Sequence, residues 1–513
     1  MARVLVPFLF CAFLLLGGRE PPWGDANVTY VTTKTLWESH RLDIELDAPP
    51  YFFTVRGGKK YGIAPLGNVV AMLPSYLIHK RLMGIPKIPE QPVGALATHF
   101  VPALLMAAAA ALFYRLARRR GASPRLALLL TATLSFGTMC FIYARVAYAE
   151  ALQTFALLLL VERTIAQGER LTLPGMAALG LAAGVLLNSK IVYAVLLPVC
   201  AAYLLWAHLR DPARRDLKRL GAACGVALLS FLPFLVLAVW HNWLKTGTLF
   251  RSGHEGQADF FGGDLGAALY GFLLSPGKSL FLFSPPLLLG VIGLAAAWRR
   301  RRAETLLLLG VCLVALLVHA KFRIWHGGYC WGPRYLVPLT PLLLLLALPW
   351  LPEALGRGRV RLRRAAVGAL LGAGLLVQLL GAAFYWDHYT RILVAVRDQT
   401  GMARWSEDHL AHGYFVPEFS PVLGHYWLFK HWLRKDPDLN RDAPWKGLIR
   451  GRLRLNDNWH ALRIDFWGVD WLKGRREVVT VGMTTLGILA VGLAASGWGI
   501  RRRLRREERE DAL

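Results

Sequence analysis

Cysteine and acidic residues are scarce in this 513-residue sequence, and their scarcity excludes several classes of protein. None of the six cysteines has CxxC or other metal-site spacing, so the sequence indicates neither a zinc module nor a disulfide framework. Asp and Glu number 33 against 60 Lys and Arg, which gives a formal net charge of +27. Internal repeats and low-complexity linkers are also lacking, and long apolar runs dominate instead.

The excess positive charge lies in short blocks between the apolar runs. These blocks are Arg118 to Arg120, Arg214-Arg215, Arg299 to Arg302, Arg357 to Arg364 and Arg501 to Arg506. A protein that binds nucleic acid needs such charges on one contiguous face. Blocks that alternate with apolar runs are instead typical of the cytoplasmic ends of membrane-spanning helices. Nucleic acid is therefore excluded as a partner, and membrane lipid is expected.

The apolar runs predict an all-α polytopic membrane protein with about 12 transmembrane helices of about 20 residues each. Hydrophobic residues make up 55% of the sequence, and the mean hydropathy of +0.39 is high for a soluble protein. The predicted spans are 4–18, 94–114, 124–143, 149–163, 173–188, 190–207, 220–240, 279–297, 304–320, 336–351, 366–386 and 478–499. The spans 173–188 and 190–207 are separated only by Asn188-Ser189-Lys190, a predicted tight outer turn.

The distribution of positive charge sets the expected topology. If the N-terminus is inside, the basic blocks are cytoplasmic and so are both termini. Residues 4–18 follow Arg3 and could be the core of a signal peptide, but no small-x-small cleavage site comes after them. We therefore expect an uncleaved first helix, with residue 25 on the outer side. The expected location is the inner (plasma) membrane.

Three outer segments are too long to be simple connections: 19–93, 241–278 and 387–477. Residues 1–386 form the predicted transmembrane core, and residues 478–513 form the last span with a basic cytoplasmic tail. The segment 387–477 is rich in tryptophan, a residue that favours the headgroup region of a bilayer. We expect this segment to lie against the outer leaflet. Its tryptophans are Trp405, Trp427, Trp432, Trp445, Trp459, Trp467 and Trp471.

An acidic residue, Asp25, follows the first span closely, in the stretch Trp23 to Asn27. Its carboxylate would lie at the height of a lipid headgroup and its sugar, where it could accept a proton. Spacing alone leaves a second interpretation open, in which Asp25 is the N-cap of a surface helix.

Several outer stretches carry a resemblance to a known superfamily. They are the Gly24-Asp25 pair after the first span, Tyr30, Leu36 to Ile44, Tyr61 to Gly67, Leu73-Pro74, Ala144 to Glu150 and Trp325 to Leu336. Over about residues 1–350 the arrangement resembles the GT-C superfamily of membrane glycosyltransferases. It is similar in particular to protein O-mannosyltransferases and to bacterial enzymes of the aminoarabinose-transferase type. The fold expected from this resemblance is GT-C-like, with long periplasmic loops.

The resemblance implies a transferase that moves a sugar from a polyprenyl-phosphate donor to a lipid, glycan or protein acceptor at the outer face of the membrane. It assigns the role of general base to Asp25, which deprotonates the acceptor. Glu150 takes a second acidic role, orienting the acceptor or binding a metal; alternatively, it is a buried carboxylate paired with Arg145. Arg334, Lys278 and Arg145 are the candidates for binding the donor phosphate. Snorkelling toward headgroups is the alternative for these cations.

A divalent metal ion is a candidate cofactor, since some residues of the first outer segment could bind one. Many GT-C members have two adjacent acidic residues in the first loop, whereas Asp25 is followed by Ala26. Aminoarabinose transferases place an acidic and a basic residue where this chain has Gly62 and Ile63. Both departures count against a bound metal. Asp43 and Glu45 remain candidate ligands, although alternating acidic residues also fit a solvated segment.

Two other functions fit a polytopic protein with long outer segments. A polymerase or ligase of lipid-linked glycans would also use outer cations, but would not specifically need Asp25. A lipid or solute transporter would be expected to show repeat symmetry and charges deep within its spans. The charges here gather near the outer surface instead.

Overall fold

The computed structural model describes residues 1–19, 24–84, 90–210, 216–249, 251, 253, 260–356, 361–401, 410–449, 451–455, 463–469 and 476–512. The α-helices are Ala2–Leu15, Asp25–Ser39, Leu66–Ala71, Leu73–Met83, Glu90–Arg119, Pro124–Phe136, Cys140–Tyr143, Glu150–Glu169, Leu173–Ser189, Leu197–Leu209, Leu217–Thr246, Leu265–Leu273, Leu280–Phe283, Leu288–Arg300, Arg302–Ala320, Thr340–Leu345, Leu351–Leu355, Arg361–Ala383, Trp386–Thr400, Ala411–Phe415, Pro421–Arg434 and Arg476–Ala512. Short 3-10 helices cover Pro50–Phe52, Ile191–Leu196, Pro285–Leu287, Arg334–Leu339 and Pro417–Phe419.

A single small hairpin accounts for the strands in the described residues. Strand β1, Phe53–Arg56, pairs antiparallel with β2, Lys59–Gly62, so that Phe53 lies opposite Gly62. Gly57 and Gly58 form the turn, both with positive φ, as a two-residue hairpin loop requires. The hairpin belongs to the first outer segment and lies beside helix Asp25–Ser39. The fold class is otherwise helical, as the sequence predicts.

Six helices are long and apolar enough to cross a membrane within the described residues. They are Gly94–Arg119, Ile191–Leu209, Leu217–Thr246, Arg302–Ala320, Arg361–Ala383 and Val479–Asp511. Shorter apolar helices are Ala2–Leu15, Pro124–Phe136, Leu173–Ser189 and Arg334–Leu345. The structure is therefore that of a multi-pass helical membrane protein. The count of about 12 spans stays a prediction.

The predicted cytoplasmic pieces lie together at one end of the helices. Arg119 is 2.6 Å from Glu162, and Arg118 is 2.8 Å from Asp511 on the last helix. Helix Glu150–Glu169 has 20 residues and is therefore about 30 Å long. Its first residue, Glu150, consequently lies far from Arg119, at the end where the predicted outer segments meet. Which of the two ends faces outward stays a prediction.

The third outer segment packs onto the protein through its own aromatic residues. The side chains of Trp427, Trp445 and Trp467 are at most 2% exposed, so they lie inside the protein rather than among lipid headgroups. These three side chains therefore pack within the protein, whatever the position of the segment relative to the outer leaflet. The tryptophans Trp405, Trp459 and Trp471 lie outside the described residues. The domain limits and the position of segment 387–477 near the outer leaflet stay predictions.

Candidate active site

Arg334 lies between two carboxylates that are 125 residues apart in the chain. Its Nη2 atom is 2.7 Å from Oδ2 of Asp25, and its Nε atom is 3.9 Å from Oε1 of Glu150. The guanidinium carbon also lies 5.2 Å from the ring centres of Tyr148 and Tyr335, a distance at which cation–π attraction is effective. The structure therefore brings together three of the side chains that the sequence selected for the site.

Both carboxylates are at the beginning of a helix. Asp25 is the first residue of Asp25–Ser39, and Glu150 is the first residue of Glu150–Glu169. Negative charge is stabilised there by the helix dipole. Gly24, with φ of 59°, is the N-cap of the first of these helices and makes no side-chain cap bond. The N-cap interpretation of Asp25 is therefore wrong, and its carboxylate contacts Arg334 instead.

Burial differs sharply between the two carboxylates. The side chain of Asp25 is 41% exposed, whereas that of Glu150 is 5% exposed and that of Arg334 is 12% exposed. Within the described residues, Oε2 of Glu150 and Nε of Arg334 have no hydrogen-bond partner. A buried polar atom without a partner is costly; Oε2 of Glu150 is left as a hydrogen-bond acceptor for a bound molecule, and Nε–H of Arg334 as a donor. Asp25 is the carboxylate that a large acceptor can reach.

Lys190 joins this cluster, although the sequence analysis assigned it only to a turn. Its Nζ atom lies 3.6 Å from the ring centre of Tyr335, the same ring whose centre is 5.2 Å from the guanidinium carbon of Arg334. Lys190 occupies the junction between helix Leu173–Ser189 and the following 3-10 helix. The signal in the sequence was a lysine standing alone between two apolar runs.

The first outer segment fixes the backbone next to Lys190. Asn68 donates a hydrogen bond from Nδ2 to the carbonyl of Ser189 at 3.1 Å. Asn188 donates from its own Nδ2 to the carbonyl of Phe234 at 2.8 Å. Because these bonds hold the two residues before Lys190, the position of its ammonium group depends on helix Leu66–Ala71 and helix Leu217–Thr246.

Arg145 does not join the cluster, so its assignment as a phosphate ligand needs correction. Its guanidinium is 4% exposed and lies 3.7 Å from Oδ2 of Asp465. It also donates to the carbonyls of Leu16, Ala382 and Asp465, the last at 2.7 Å. These contacts hold the donors of Arg145 away from the site. The alternative pairing of Glu150 with Arg145 is also wrong, because the cation nearest Glu150 is Arg334.

Lys278 is likewise bound elsewhere. Its Nζ atom donates to the carbonyls of Gly328, Cys330 and Gly332, each at 3.2 Å, and the residue is 2% exposed. An ammonium group has three N–H donors, and these carbonyls accept all of them. The prediction that Lys278 binds the donor phosphate is therefore corrected.

The candidate metal ligands lie in the hairpin region and not at the cluster. Asp43 accepts hydrogen bonds from Arg41, which lower the pKa of its carboxyl below the usual value. Glu45 is an exposed residue of the same stretch. Within the described ranges, no group of three or more His, Cys, Asp or Glu could hold a metal ion. Beside Asp25 and Glu150 the cation in this structure is Arg334, and a divalent metal stays a prediction.

The fold of this chain is similar to the folds of several solved structures. No family model matches the sequence, and no curated protein matches it. ArnT from Cupriavidus metallidurans bound to undecaprenyl phosphate aligns with 97% of this chain and 78% of its own, at 16% identity and a TM-score of 0.47. ArnT in the apo state aligns with 97% of this chain and 77% of its own, at 16% identity and a TM-score of 0.48. The oligosaccharyltransferase of Archaeoglobus fulgidus in complex with Zn and sulfate aligns with 82% of this chain and 58% of its own, at 16% identity and a TM-score of 0.47. Both proteins are GT-C glycosyltransferases.

Proposed function

We propose that this protein is a GT-C-type glycosyltransferase that moves a sugar from a polyprenyl-phosphate donor to a lipid, glycan or protein acceptor. The reaction takes place at the outer face of the inner membrane. One observation carries the proposal: two carboxylates and two cations, Asp25, Glu150, Arg334 and Lys190, meet at one end of a bundle of apolar helices. Such a cluster can hold an anionic headgroup and accept a proton within the same small volume.

The acceptor hydroxyl oxygen attacks the anomeric carbon of the donor sugar. As this carbon–oxygen bond forms, the bond from the anomeric carbon to the phosphate oxygen breaks, and its electron pair leaves with the polyprenyl phosphate. The acceptor proton moves to a carboxylate oxygen of Asp25, the more exposed of the two acids. A positioned general base contributes about 10²–10⁴-fold to the rate of such a step.

The departing phosphate gains one negative charge, and Arg334 and Lys190 stabilise it. A guanidinium has five N–H donors, so contact with Asp25 does not exhaust Arg334, whose Nε has no hydrogen-bond partner in the described part of the chain. Lys190 supplies a second cation above the Tyr335 ring, 3.6 Å away. Donors aimed at developing charge lower the barrier most effectively where water is excluded.

Glu150 orients the reacting groups in this scheme. It is too deeply buried, at 5% exposure, to meet a large acceptor directly. Its Oε1 faces Nε of Arg334 at 3.9 Å, and its Oε2 can accept a hydrogen bond from a sugar hydroxyl. Glu150 thereby fixes the angle of the guanidinium toward the donor.

The decisive experiment replaces the base. Asp25→Asn keeps the size of the side chain and loses its basicity, so we expect kcat to fall by about 10²–10⁴-fold with expression and thermal stability intact. Asp47→Asn, at an exposed position of the same outer segment, is the matched control and should keep wild-type kcat. The assay follows transfer from a defined polyprenyl-phosphate sugar by purified protein in detergent or proteoliposomes. An Asp25→Asn variant with normal turnover would remove Asp25 as the base.

The donor class is tested in the same assay. We expect transfer from the polyprenyl-phosphate sugar and none from nucleotide sugars supplied without a lipid carrier. Efficient use of a nucleotide sugar would overturn the proposed donor. Movement of intact lipid-linked sugar across the bilayer, with no new glycosidic bond, would favour the transporter alternative, and extension of a lipid-linked glycan that persists in Asp25→Asn would favour the polymerase or ligase.

A further inference from the structure

The segment just before Arg334 is a glycine-rich loop, residues 326–333, which we name the Arg334 loop. Gly327, Gly328 and Gly332 have φ values of 74°, 75° and 65°, a region that other residues adopt only with strain. A chain with three such residues has many alternative conformations. Contacts outside the loop must therefore select the one that presents Arg334 to the site.

Lys278 supplies the central contact of this loop. Its ammonium group donates hydrogen bonds to the carbonyls of Gly328, Cys330 and Gly332, whose oxygens each lie 3.2 Å from Nζ. The Sγ atom of Cys330 lies 3.3 Å from the same Nζ. Without the ammonium, these carbonyls would lose the hydrogen bonds that compensate for their burial. We call the Lys278 ammonium group and these three carbonyls the cage. Its last carbonyl belongs to a residue only two positions before Arg334, so the cage fixes the backbone from which that side chain extends.

The beginning of the loop touches the Arg334 side chain directly. A Cβ atom at Gly327 would come within 2.8 Å of Cγ of Arg334. Near the other end of the loop, Tyr143 donates a hydrogen bond to the carbonyl of Trp331 at 3.0 Å, and the fully buried Trp331 ring packs against Phe283 at 5.0 Å. The loop therefore contacts the Arg334 side chain at Gly327 and is anchored to neighbouring helices at Trp331, so a change in its conformation would move the guanidinium.

Helix Ala411–Phe415 of the third outer segment contacts both the turn that carries Lys278 and the Arg334 loop. The Tyr414 carbonyl accepts a hydrogen bond from the backbone N–H of Gly277, next to Lys278, at 3.0 Å. The Tyr414 hydroxyl is 2.9 Å from Nδ1 of His326, at the first residue of the loop. Since the N–H of Gly328 already donates to this Nδ1 at 3.0 Å, Nδ1 is an acceptor and the tyrosine hydroxyl donates to it. Tyr414 therefore joins the turn that carries Lys278 to the start of the Arg334 loop.

We infer that Lys278 is a positioning residue, which together with Tyr414 holds the Arg334 loop in the conformation that aims Arg334 at the donor phosphate. Lys278 itself does not touch the donor. This role rests on the proposed function, and it gives the third outer segment a part in the donor step. A misplacement of about 1 Å at a reacting group can cost about 10²-fold in rate.

The first test reads the loop without any substrate. Cys330 is 8% exposed and lies against Lys278, so its thiol should react slowly with N-ethylmaleimide in the wild-type protein. Lys278→Met, similar in length but uncharged, should raise the labelling rate severalfold, as followed by mass spectrometry of the Cys330 peptide. Lys321→Met is the matched control, since the Nζ atom of Lys321 donates a hydrogen bond to the carbonyl of Gly263, outside the loop, at 3.1 Å; it should leave the rate unchanged. Unchanged labelling in Lys278→Met would overturn the cage, whatever the enzyme does.

The second test uses a double-mutant cycle in kcat. Lys278→Met should lower kcat by about 10²-fold in the wild-type background, and should cost almost nothing further when Arg334→Ala is already present, because a positioning residue acts through the group it positions. Independent, multiplying losses would show that Lys278 contacts the donor itself and would overturn the inference. Lys278→Arg should not rescue activity, because a planar guanidinium does not fit three carbonyls that converge on one point.

Tyr414→Phe keeps the inference testable if Lys278→Met folds poorly. It removes only the hydroxyl that reaches His326 and keeps the ring 5.4 Å from Nζ of Lys278. We expect a smaller loss of kcat that again disappears in the Arg334→Ala background. A loss that persists there would contradict the inference. Wild-type kcat in Arg334→Ala would overturn the proposed role of Arg334, while the labelling result would still decide whether the cage exists.

Discussion

Arg334 and Lys190 share the site but are held in different ways. Arg334 has a carboxylate within 2.7 Å, whereas the Nζ atom of Lys190 lies over the rings of Tyr335 and Phe322, 3.6 and 5.1 Å from their centres. An aromatic face holds an ammonium group in place but does not neutralise its charge. Lys190 is therefore the cation better suited to an incoming phosphate, and Arg334 the one that links phosphate and base.

Replacing Lys190 by methionine tests this distinction. A hydrogen bond to a charged group contributes about 1.5–3 kcal/mol, so we expect kcat/KM for the donor to fall by about 10- to 100-fold. Part of the loss should appear in kcat, because the phosphate gains charge as the sugar departs. Initial rates at varied donor concentration give both values. Lys80→Met is the control, since Lys80 is half exposed and binds Glu38 instead. Equal kcat/KM in Lys190→Met and wild type would remove Lys190 from the site.

Single residues were predicted from the sequence with uneven success, for a physical reason. Asp25 was conspicuous as an acid close to the end of an apolar run, and the resemblance to the GT-C superfamily selected it and Glu150 for the site. Lys278 and Arg145 are equally conspicuous, but both are satisfied by backbone carbonyls. Whether a buried cation meets a ligand or a carbonyl depends on tertiary contacts, which a linear pattern does not contain. Lys190 was overlooked for the converse reason, since its partners are aromatic rings distant in sequence.

At the scale of helices and loops, the ends of elements determine where the chemistry lies. Asp25, Glu150 and Arg334 each begin a helix, and Lys190 follows the end of one. The apolar runs of the sequence located the long helices, and each predicted span overlaps a helix of the structure. It could not show that the helix ends converge. That information lies in the packing of helices, as in the bonds from Asn68 that hold the Lys190 junction.

The Arg145–Asp465 pair is a structural link between elements, and this assignment makes a prediction about stability. Arg145 joins the end of helix Ala2–Leu15, the end of helix Arg361–Ala383 and the loop at Asp465. Removing one partner of a buried ion pair typically costs about 3–5 kcal/mol. We therefore expect Arg145→Met to lower the thermal unfolding temperature markedly. Activity measured on the folded fraction should keep the wild-type KM for the donor.

Arg334→Ala gives the opposite pattern and serves as the comparison for Arg145→Met. Its loss should appear in kcat of the folded protein. Its unfolding temperature should fall less than that of Arg145→Met, because Asp25, the carboxylate nearest Arg334, is 41% exposed. Unfolding can be followed by differential scanning fluorimetry in detergent, alongside the transfer assay. A stable Arg145→Met protein with a raised KM for the donor would restore Arg145 as a phosphate ligand.

For the whole molecule, charge and apolar runs predicted the two-ended arrangement. The first basic block meets acidic partners at one end, as in the contacts of Arg119 with Glu162 and of Arg118 with Asp511, and the candidate catalytic residues lie at the other. The interior of segment 387–477 was not predictable in the same way. Its tryptophans suggested an interfacial segment, whereas Trp427, Trp445 and Trp467 pack inside the protein and Tyr414 of the same segment contacts the Arg334 loop. Composition alone does not distinguish an aromatic residue that faces lipid from one that faces protein.

The orientation of the two ends in the membrane is the last prediction, and labelling of single cysteines in intact cells tests it. Lys59 lies in the hairpin of the first outer segment and Arg125 follows the first basic block; their side chains are 56% and 78% exposed. Cys224 is exposed and Cys11 is partly buried, so both are first replaced by alanine. An impermeant maleimide should then label Lys59→Cys in intact cells and Arg125→Cys only after permeabilisation, because positively charged loops remain cytoplasmic. Labelling of Arg125→Cys in intact cells would reverse the topology and place Asp25 and Arg334 on the cytoplasmic side, where nucleotide sugars are available.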